Sequence, residues 1–297
     1  MQPFTVVQSG RAAEGEAPIF SRIGIVGLGL IGGSVALAAR QAWPKALVIG
    51  VDNSGVLEMA MRLGAVDVGA DDLVVIAEAD LIILAAPVRQ NIAILAELDA
   101  NIRQSAVVTD TGSTKRDIMT AARGLPPRLR FIGGHPLAGA AEGGLEHARA
   151  DLFSGRPWLL TAEGDGSGDD VARLSAFVSA FGAEARSMSL TAHDRVLAFM
   201  SHLPQLTASA LMCVVGDAVG QEGLALAGRG LADTTRLATS PAGIWKDIAA
   251  TNAGEIGAAL DELIALLQEL RRDLPTGDRL GDVFNDARRW RASLRKT

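Results

Sequence analysis

Cysteine is nearly absent. Cys213 stands alone in 297 residues, so no disulfide can form within the chain, and this usage fits a protein of the reducing cytoplasm. It lies in the apolar run 211–215, where a buried packing role is expected rather than a reactive thiol. Positive charge is not in excess either: 28 lysines and arginines face 34 acids, a net charge of −6, which excludes a general nucleic-acid surface. A local basic pocket for an anionic metabolite is still compatible with that balance. No apolar run is expected to reach the roughly 18 residues of a membrane span, because Asp, Arg or glycine-rich turns interrupt the candidates. The first 20 residues carry Gln2, Arg11, Glu14 and Glu16 without the apolar centre of a secretory signal, and are expected to form a mobile extension. The histidines, His135, His147, His193 and His202, have neither HExxH nor Cys/His spacing, so no metal site is expected. Internal repeats and low-complexity tracts are also missing. Nearly half of the residues are apolar, which suffices for one large core or two ordinary ones.

What is present begins with Gly27-Leu28-Gly29-Leu30-Ile31-Gly32, set between an apolar run at 23–26 and a helix-like run at 34–40. The first glycine permits a tight turn, the second lets bare backbone approach a pyrophosphate, and the third lets helix and strand pack closely. The helix N-terminus then offers unpaired N–H groups and a partial positive charge to the anion. A second apolar run, 47–51, ends in Asp52, about 20 residues past the last glycine, where a ribose-binding acid is expected. A carboxylate there accepts hydrogen bonds from the ribose hydroxyls of NAD and repels the 2′-phosphate of NADP. Asn53 and Ser54 follow, with no arginine to clamp a phosphate, so NAD is expected over NADP.

From Arg22 to about Met188 short β-branched runs alternate with helix-length segments, the pattern of a mainly parallel, doubly wound Rossmann-type sheet. Strands are expected at 23–26, 47–51, 81–85, 106–109, 130–133 and 158–161, with their carboxyl ends forming one ligand-binding edge. The glycine loop, Asp52, the segment Asp110-Thr111-Gly112-Ser113-Thr114-Lys115 and Gly134-His135-Pro136 are all placed directly after such strands. The stretch 163–170 is a glycine- and acid-rich surface loop. A domain boundary falls near Ser189, where Thr191 and Asp194 resemble a capping box and helical periodicity replaces strands. The expected organisation is an extension over 1–20, a dinucleotide-binding domain over 21–188 and an all-helical domain over 189–297, with long helical runs at 196–215, 256–271 and 283–295. Segments 208–219 and 223–230 are rich in Ala, Leu and Gly, more apolar surface than one small domain needs, so a dimer interface is expected on this domain.

His135 follows Phe131-Ile132-Gly133-Gly134 and precedes a proline, which puts an imidazole at a strand's carboxyl end beside the expected nicotinamide. With this histidine the chain resembles the prephenate and arogenate dehydrogenase family, over roughly residues 22–273. The resemblance rests on ordered motifs: the glycine loop, 110–115, Gly133 to Gly139, Ser201-His202-Leu203-Pro204, Asp233-Thr234-Thr235-Arg236 and Ile244-Trp245-Lys246-Asp247. It implies oxidation of a cyclohexadienyl substrate with loss of the ring carboxylate as carbon dioxide, in the synthesis of tyrosine or its precursor. By resemblance His135 is the base that takes the ring hydroxyl's proton, so activity should fall as the imidazole protonates, around pH 6–7 at the reference pKa. Ser113 holds the same hydroxyl and orients the histidine. Arg236 binds the ring carboxylate, its fork suited to a bidentate contact. His202 and Trp245 match pocket residues, and Asp233 and Gln205 are placed with them as substrate contacts. The expected cofactor contacts are Gly27, Gly29, Leu30, Ile31, Gly32, Asp52, Pro87 and Ser113. Lys115 is expected to organise its loop rather than to do chemistry.

Two departures bear on the substrate side chain. Many prephenate-using relatives carry a glutamate two residues after the glycine of His-Pro-x-Ala-Gly; here Ala140 and Ala141 follow Gly139, and Glu142 comes one place later. They also often have a histidine where this chain has Gln205. The resemblance therefore implies prephenate, arogenate or both, with tyrosine as the candidate feedback inhibitor acting in the active site. Two other readings stay open on sequence: a β-hydroxyacid or imine-type dehydrogenase, although neither its Asp-x-Pro-x-Ser-Gly-Gly loop nor its interdomain lysine is evident, and an NAD-sensing protein without turnover.

Overall fold

A computed structural model describes residues 17–140, 142–163 and 168–294. Of the mobile extension expected over residues 1–20, residues 1–16 lie outside the described residues, as does Ala141; the expectation is corrected at its end, where Phe20 is fully buried in the core. Eight strands form one sheet: β1 (Arg22–Val26), β2 (Leu47–Val51), β3 (Val68–Ala70), β4 (Leu81–Leu84), β5 (Ala106–Asp110), β6 (Leu129–Pro136), β7 (Pro157–Thr161) and β8 (Glu184–Ser187). Their order is β3-β2-β1-β4-β5-β6-β7-β8, parallel except where β6 meets β7. The intervening helices are α1 (Leu30–Ala42), α2 (Ser54–Arg62), α3 (Val88–Asn101), α4 (Arg116–Ala122) and α5 (Gly168–Ala180). The doubly wound sheet expected from the alternation is present, with two strands beyond those expected, β3 and β8. Both are short and sit at the sheet's edges, where burial is one-sided and the apolar signal correspondingly weak.

Central strands are buried on both faces, which is why Leu81-Ile82-Ile83-Leu84 has no polar alternation. One face packs against α1 and α5 around Phe20, Trp43, Phe177 and Phe181, with Trp43 and Phe177 stacked at 5.2 Å between ring centroids. On the other face Val88, Leu95 and Leu98 of α3 and Ile118 of α4 pack near Ile82, Leu84 and Val108. Each such buried side chain contributes about 1.5–3 kcal/mol of transfer free energy, enough to fix the sheet's carboxyl edge as a rigid platform.

β6 has two partners in succession. Leu129 to Ile132 pair in parallel with β5, and Gly133 to Pro136 then pair antiparallel with β7, His135 opposite Leu159. His135 is therefore inside the paired strand rather than after it, and β6 ends at Pro136, three residues beyond the expected end, because β7 continues the pairing that β5 leaves.

After β8 no strand occurs among the described residues. Here lie α6 (Leu190–Leu197), a π-helical turn (Ala198–His202), α7 (Leu203–Leu224), α8 (Arg229–Thr234), a 3-10 turn (Arg236–Thr239), α9 (Ala242–Thr251), α10 (Ala253–Asp273) and α11 (Asp278–Ala292). The chain divides into two compact units: Met1–Leu197 with Thr239–Asn252, and Ala198–Ala238 with Ala253–Thr297. Set beside the expected boundary at 189, α6 and α9 group with the sheet.

Three local expectations are corrected. Ser189 caps α6, its Oγ accepting from Ala192 N at 3.3 Å, whereas Asp194 turns away to cap another helix. The stretch Leu190–Leu224 is long and apolar enough to cross a membrane, by length and composition only; residues 196–216 contain no Asp, Glu, Lys or Arg, so nothing interrupts them as expected. Cys213 is exposed, because of α7 only Gln205 and Ala208 are buried within the single chain.

Candidate active site

The glycine loop leaves β1 through Gly27 at φ +92°, a conformation that side chains rarely adopt. A Cβ on Gly32 would lie 1.9 Å from the Gly27 carbonyl oxygen, so the first turn of α1 can lie against the loop only without a side chain there. Nothing approaches within 4 Å of a Cβ placed on Gly29, which leaves open space where a phosphate needs it. α1 begins with no side-chain cap and no acid in its first turn, so the N–H groups of Leu30, Ile31 and Gly32 face an end that electrostatics reserves for an anion. Asp52 reaches back across this loop: its Oδ2 accepts from Leu28 N at 2.7 Å, and its Oδ1 accepts from Asn53 N at 2.7 Å and Asn53 Nδ2 at 2.8 Å. A carboxylate has about four acceptor sites, so ribose hydroxyls can still bind one already fixed in place. These residues fit a dinucleotide. Pro87 stands at the start of α3, whose first amide, Val88 N, donates to Asp247 Oδ2 at 2.7 Å.

The loop after β5 is built around a fully buried ion pair. Lys115 Nζ lies 2.6 Å from Asp110 Oδ2 and also donates to the carbonyls of Gly112 at 2.9 Å and Thr114 at 3.0 Å, which uses all three of its protons. Asp110 in turn accepts from Gly112 N at 2.8 Å and from Gly134 N at 3.0 Å. The loop carrying Ser113 is thereby clamped to β6 one residue before His135. Ser113 itself is half-buried. Thr114 Oγ1 pairs with Thr251 Oγ1 of α9 at 2.7 Å, and the backbone N–H groups of Lys115 and Arg116, at the start of α4, donate to Asp194 at 2.7 and 2.9 Å.

His135, 8% exposed, closes the cluster. Its Nδ1 is 3.0 Å from Nε2 of His193, whose own Nδ1 is 2.7 Å from Asp194 Oδ1. Burial, the largest influence, pushes His193 below the ordinary imidazole pKa; the Asp194 hydrogen bond opposes this and the Lys115 charge adds to it. Burial alone would raise Asp194, yet hydrogen bonds from His193, Arg116 N and Lys115 N hold it below the usual carboxylate range. The result is a line from an anion through a neutral imidazole to the imidazole at the sheet's carboxyl edge.

The remaining expected site residues are distributed between the units. Trp245, half-buried on α9, belongs to the unit with the sheet. His202, Gln205, Asp233 and Arg236 belong to the other unit. There His202 is 1% exposed at the end of the π-helical turn, and Asp233 on α8 and Arg236 at the start of the 3-10 turn are exposed. Gln205 is buried, and its Nε2 donates to Leu237 O at 2.8 Å and Ser209 Oγ at 3.3 Å, so it braces α7 against the turn that Arg236 begins. Glu142, 75% exposed, has its Oε2 3.1 Å from His147 Nε2. Sequence reasoning missed His193, Asp194, Asp247 and Thr251 as parts of this framework. The adjacent His193-Asp194 pair on a helix start was the available signal, but its partners are 58 and 79 residues away.

Residues 35–187 match the family described as prephenate dehydrogenase, nucleotide-binding domain, and residues 189–284 match prephenate dehydrogenase, dimerization domain. The chain is 33% identical over 278 residues to the prephenate dehydrogenase of Bacillus subtilis, covering 91% of this chain and 75% of that protein. It is similar to the crystal structure of Aquifex aeolicus prephenate dehydrogenase in complex with hydroxyphenyl propionate and NAD+, with a TM-score of 0.83, 28% identity and coverage of 92% of this chain and 97% of that one. Synechocystis arogenate dehydrogenase is similar with a TM-score of 0.77 and 29% identity, covering 90% and 98%.

Proposed function

Because this chain belongs to the prephenate dehydrogenase family, we propose that it oxidatively decarboxylates prephenate, arogenate or both, with NAD as cofactor, in the route to tyrosine. The observation that carries this reading is the buried imidazole of His135, backed by His193 and Asp194, on the same sheet edge as a glycine loop built for a pyrophosphate. His135 accepts the proton of the ring hydroxyl, and Ser113, on the clamped loop, holds that hydroxyl in line with it. Arg236 takes the ring carboxylate in a bidentate contact, with His202, Trp245, Gln205 and Asp233 as further substrate contacts. When bound, NAD supplies the acceptor for the hydride that leaves the ring carbon bearing the hydroxyl. Asp52 favours NAD over NADP by charge, since Leu28 N and Asn53 N hold its carboxylate at the loop where a 2′-phosphate would meet it. Tyrosine, which shares the product's ring, is proposed to inhibit from within the active site; inhibition not competitive with substrate would count against that.

NADH or NADPH formation with each pairing of prephenate or arogenate with NAD or NADP tests the reading. Turnover with NAD and at least one substrate supports it, and the ratio of kcat/KM values assigns the preference; NAD binding without turnover on either substrate would favour a sensor. In the same assay Arg236→Ala is expected to lower kcat/KM by roughly two orders of magnitude, since each charge-assisted bond to the carboxylate is worth about 1.5–3 kcal/mol. An arginine that only paired with a neighbouring acid on an exposed helix would be worth about 0.3–0.5 kcal/mol, a change of roughly two-fold.

We further propose that the helical unit pairs with a second copy of the chain. α7 is apolar on every side, with Val214 68% and Val219 47% exposed, and a helix of that kind is stable when something covers it. Light scattering on the eluting protein should give twice the chain mass, and a charge placed at Val214 (Val214→Glu) should shift it to the monomer; a wild-type monomer at micromolar concentration would refute the pairing.

A further inference from the structure

His193 lies outside every sequence motif that marked the site, yet it is fully buried and touches both His135 and an acid. The hydrogen bonds constrain where the protons sit. Asp194 is an acceptor already committed to the N–H groups of Lys115 and Arg116, so His193 must donate from Nδ1. In a neutral imidazole Nε2 is then an acceptor, and the only complementary arrangement at 3.0 Å has His135 donating from Nδ1. That leaves the lone pair of His135 on Nε2.

We propose that His193 is a positioning residue for the oxidation: relayed from Asp194, its Nε2 fixes His135 in the tautomer whose Nε2 accepts the substrate's proton. The proposal rests on the reading of His135 as proton acceptor. An Asp paired directly with a catalytic histidine does this in hydrolytic triads; here a second imidazole is interposed. The charged and titratable groups facing His193 are His135 from β6, Asp110 and Lys115 from β5 and its loop, and Asp194 on its own helix. Protonation of His193 would turn Nε2 into a donor, force His135 Nδ1 to accept, and move the His135 proton to Nε2, abolishing the base. Base function is thus present above the His193 pKa and lost as pH falls through it. Burial and the Lys115 charge lower that pKa, which keeps the relay in its working form at neutral pH and somewhat below.

His193→Phe removes the acceptor, and His193→Gln can restore it by offering its carbonyl to His135 and its amide to Asp194. The phenylalanine variant is expected to lose on the order of 10²-fold in kcat, within the range of a misdirected general base, with KM little changed. Its acid limb should move to lower pH, because the His135 imidazolium has lost its acceptor. The glutamine variant should recover most of the rate. Equal loss in both variants with an unmoved pH profile would show a merely structural residue and overturn the proposal. Nitrogen NMR of the wild-type full-length chain with 15N-labelled histidine gives a readout that needs neither variant to fold nor any substrate. A protonated Nδ1 and bare Nε2 on His135 support the proposal, and the opposite tautomer overturns it. Because this readout is independent of turnover, failure of the relay is distinguishable from failure of the proposed reaction.

Discussion

Replacing His135 by asparagine is expected to lower kcat by about 10²–10⁴-fold, the usual contribution of a positioned general base, while NAD affinity stays within roughly two-fold of wild type. The side chain is short enough to occupy the space between β6 and His193, and its amide can still donate to His193 Nε2, so the buried line to Asp194 survives. What is lost is the titratable Nε2. NAD affinity should hold because the residues that fit the dinucleotide are carried by the β1–α1 loop and the end of β2, whose geometry depends on Gly27, Gly32 and Asp52. NADH formation at saturating NAD, with fluorescence titration of the cofactor, separates the two effects. The pH profile adds a sign: activity limited by a neutral base falls on acidification in the wild type, and the residual activity of the variant should lose that dependence. A kcat within about three-fold of wild type would remove His135 from the chemistry.

The glycine loop, Asp52 and the strand ends were legible because their geometry is local: a positive φ at Gly27, a contact between Gly32 and Gly27, and an acid at the end of the next strand are all written within one βαβ unit. The edge strand β8, Glu-Ala-Arg-Ser, was not, since it borrows its ladder from β7 and carries little apolar signal of its own. Asp194 illustrates a different failure. Its position suggested the start of its own helix, but two amides 78 and 79 residues away outcompeted that local role, and Ser189 took the cap instead. Residue 135 was found by motif, whereas the group that sets its tautomer was invisible because nothing in the sequence spaces His193 against His135. The apolar run through α7 is a case of its own: a charge-free stretch reads as core, yet in a single chain it is mostly surface.

The buried pair behind the Ser113 loop carries the largest expected effect on stability. Lys115→Met should destabilise the unit containing the sheet by about 3–5 kcal/mol, because it leaves the Asp110 carboxylate desolvated without its cation. Native domains are stable by only about 5–15 kcal/mol, so urea unfolding followed by intrinsic fluorescence should show a clearly displaced midpoint. Adding Asp110→Asn should recover part of the loss. The amide oxygen can still accept from Gly112 N or Gly134 N, and the uncompensated charge is gone, whereas two independent structural residues would give additive losses. The single variant should also weaken catalysis without touching substrate, since the carbonyls of Gly112 and Thr114 that Lys115 holds flank Ser113 directly. A rise in KM with a smaller fall in kcat would mark a loosened serine loop. Stability within about 0.5 kcal/mol of wild type would mean that the cation is not what the Asp110 carboxylate depends on, and that its backbone hydrogen bonds alone hold the loop against β6.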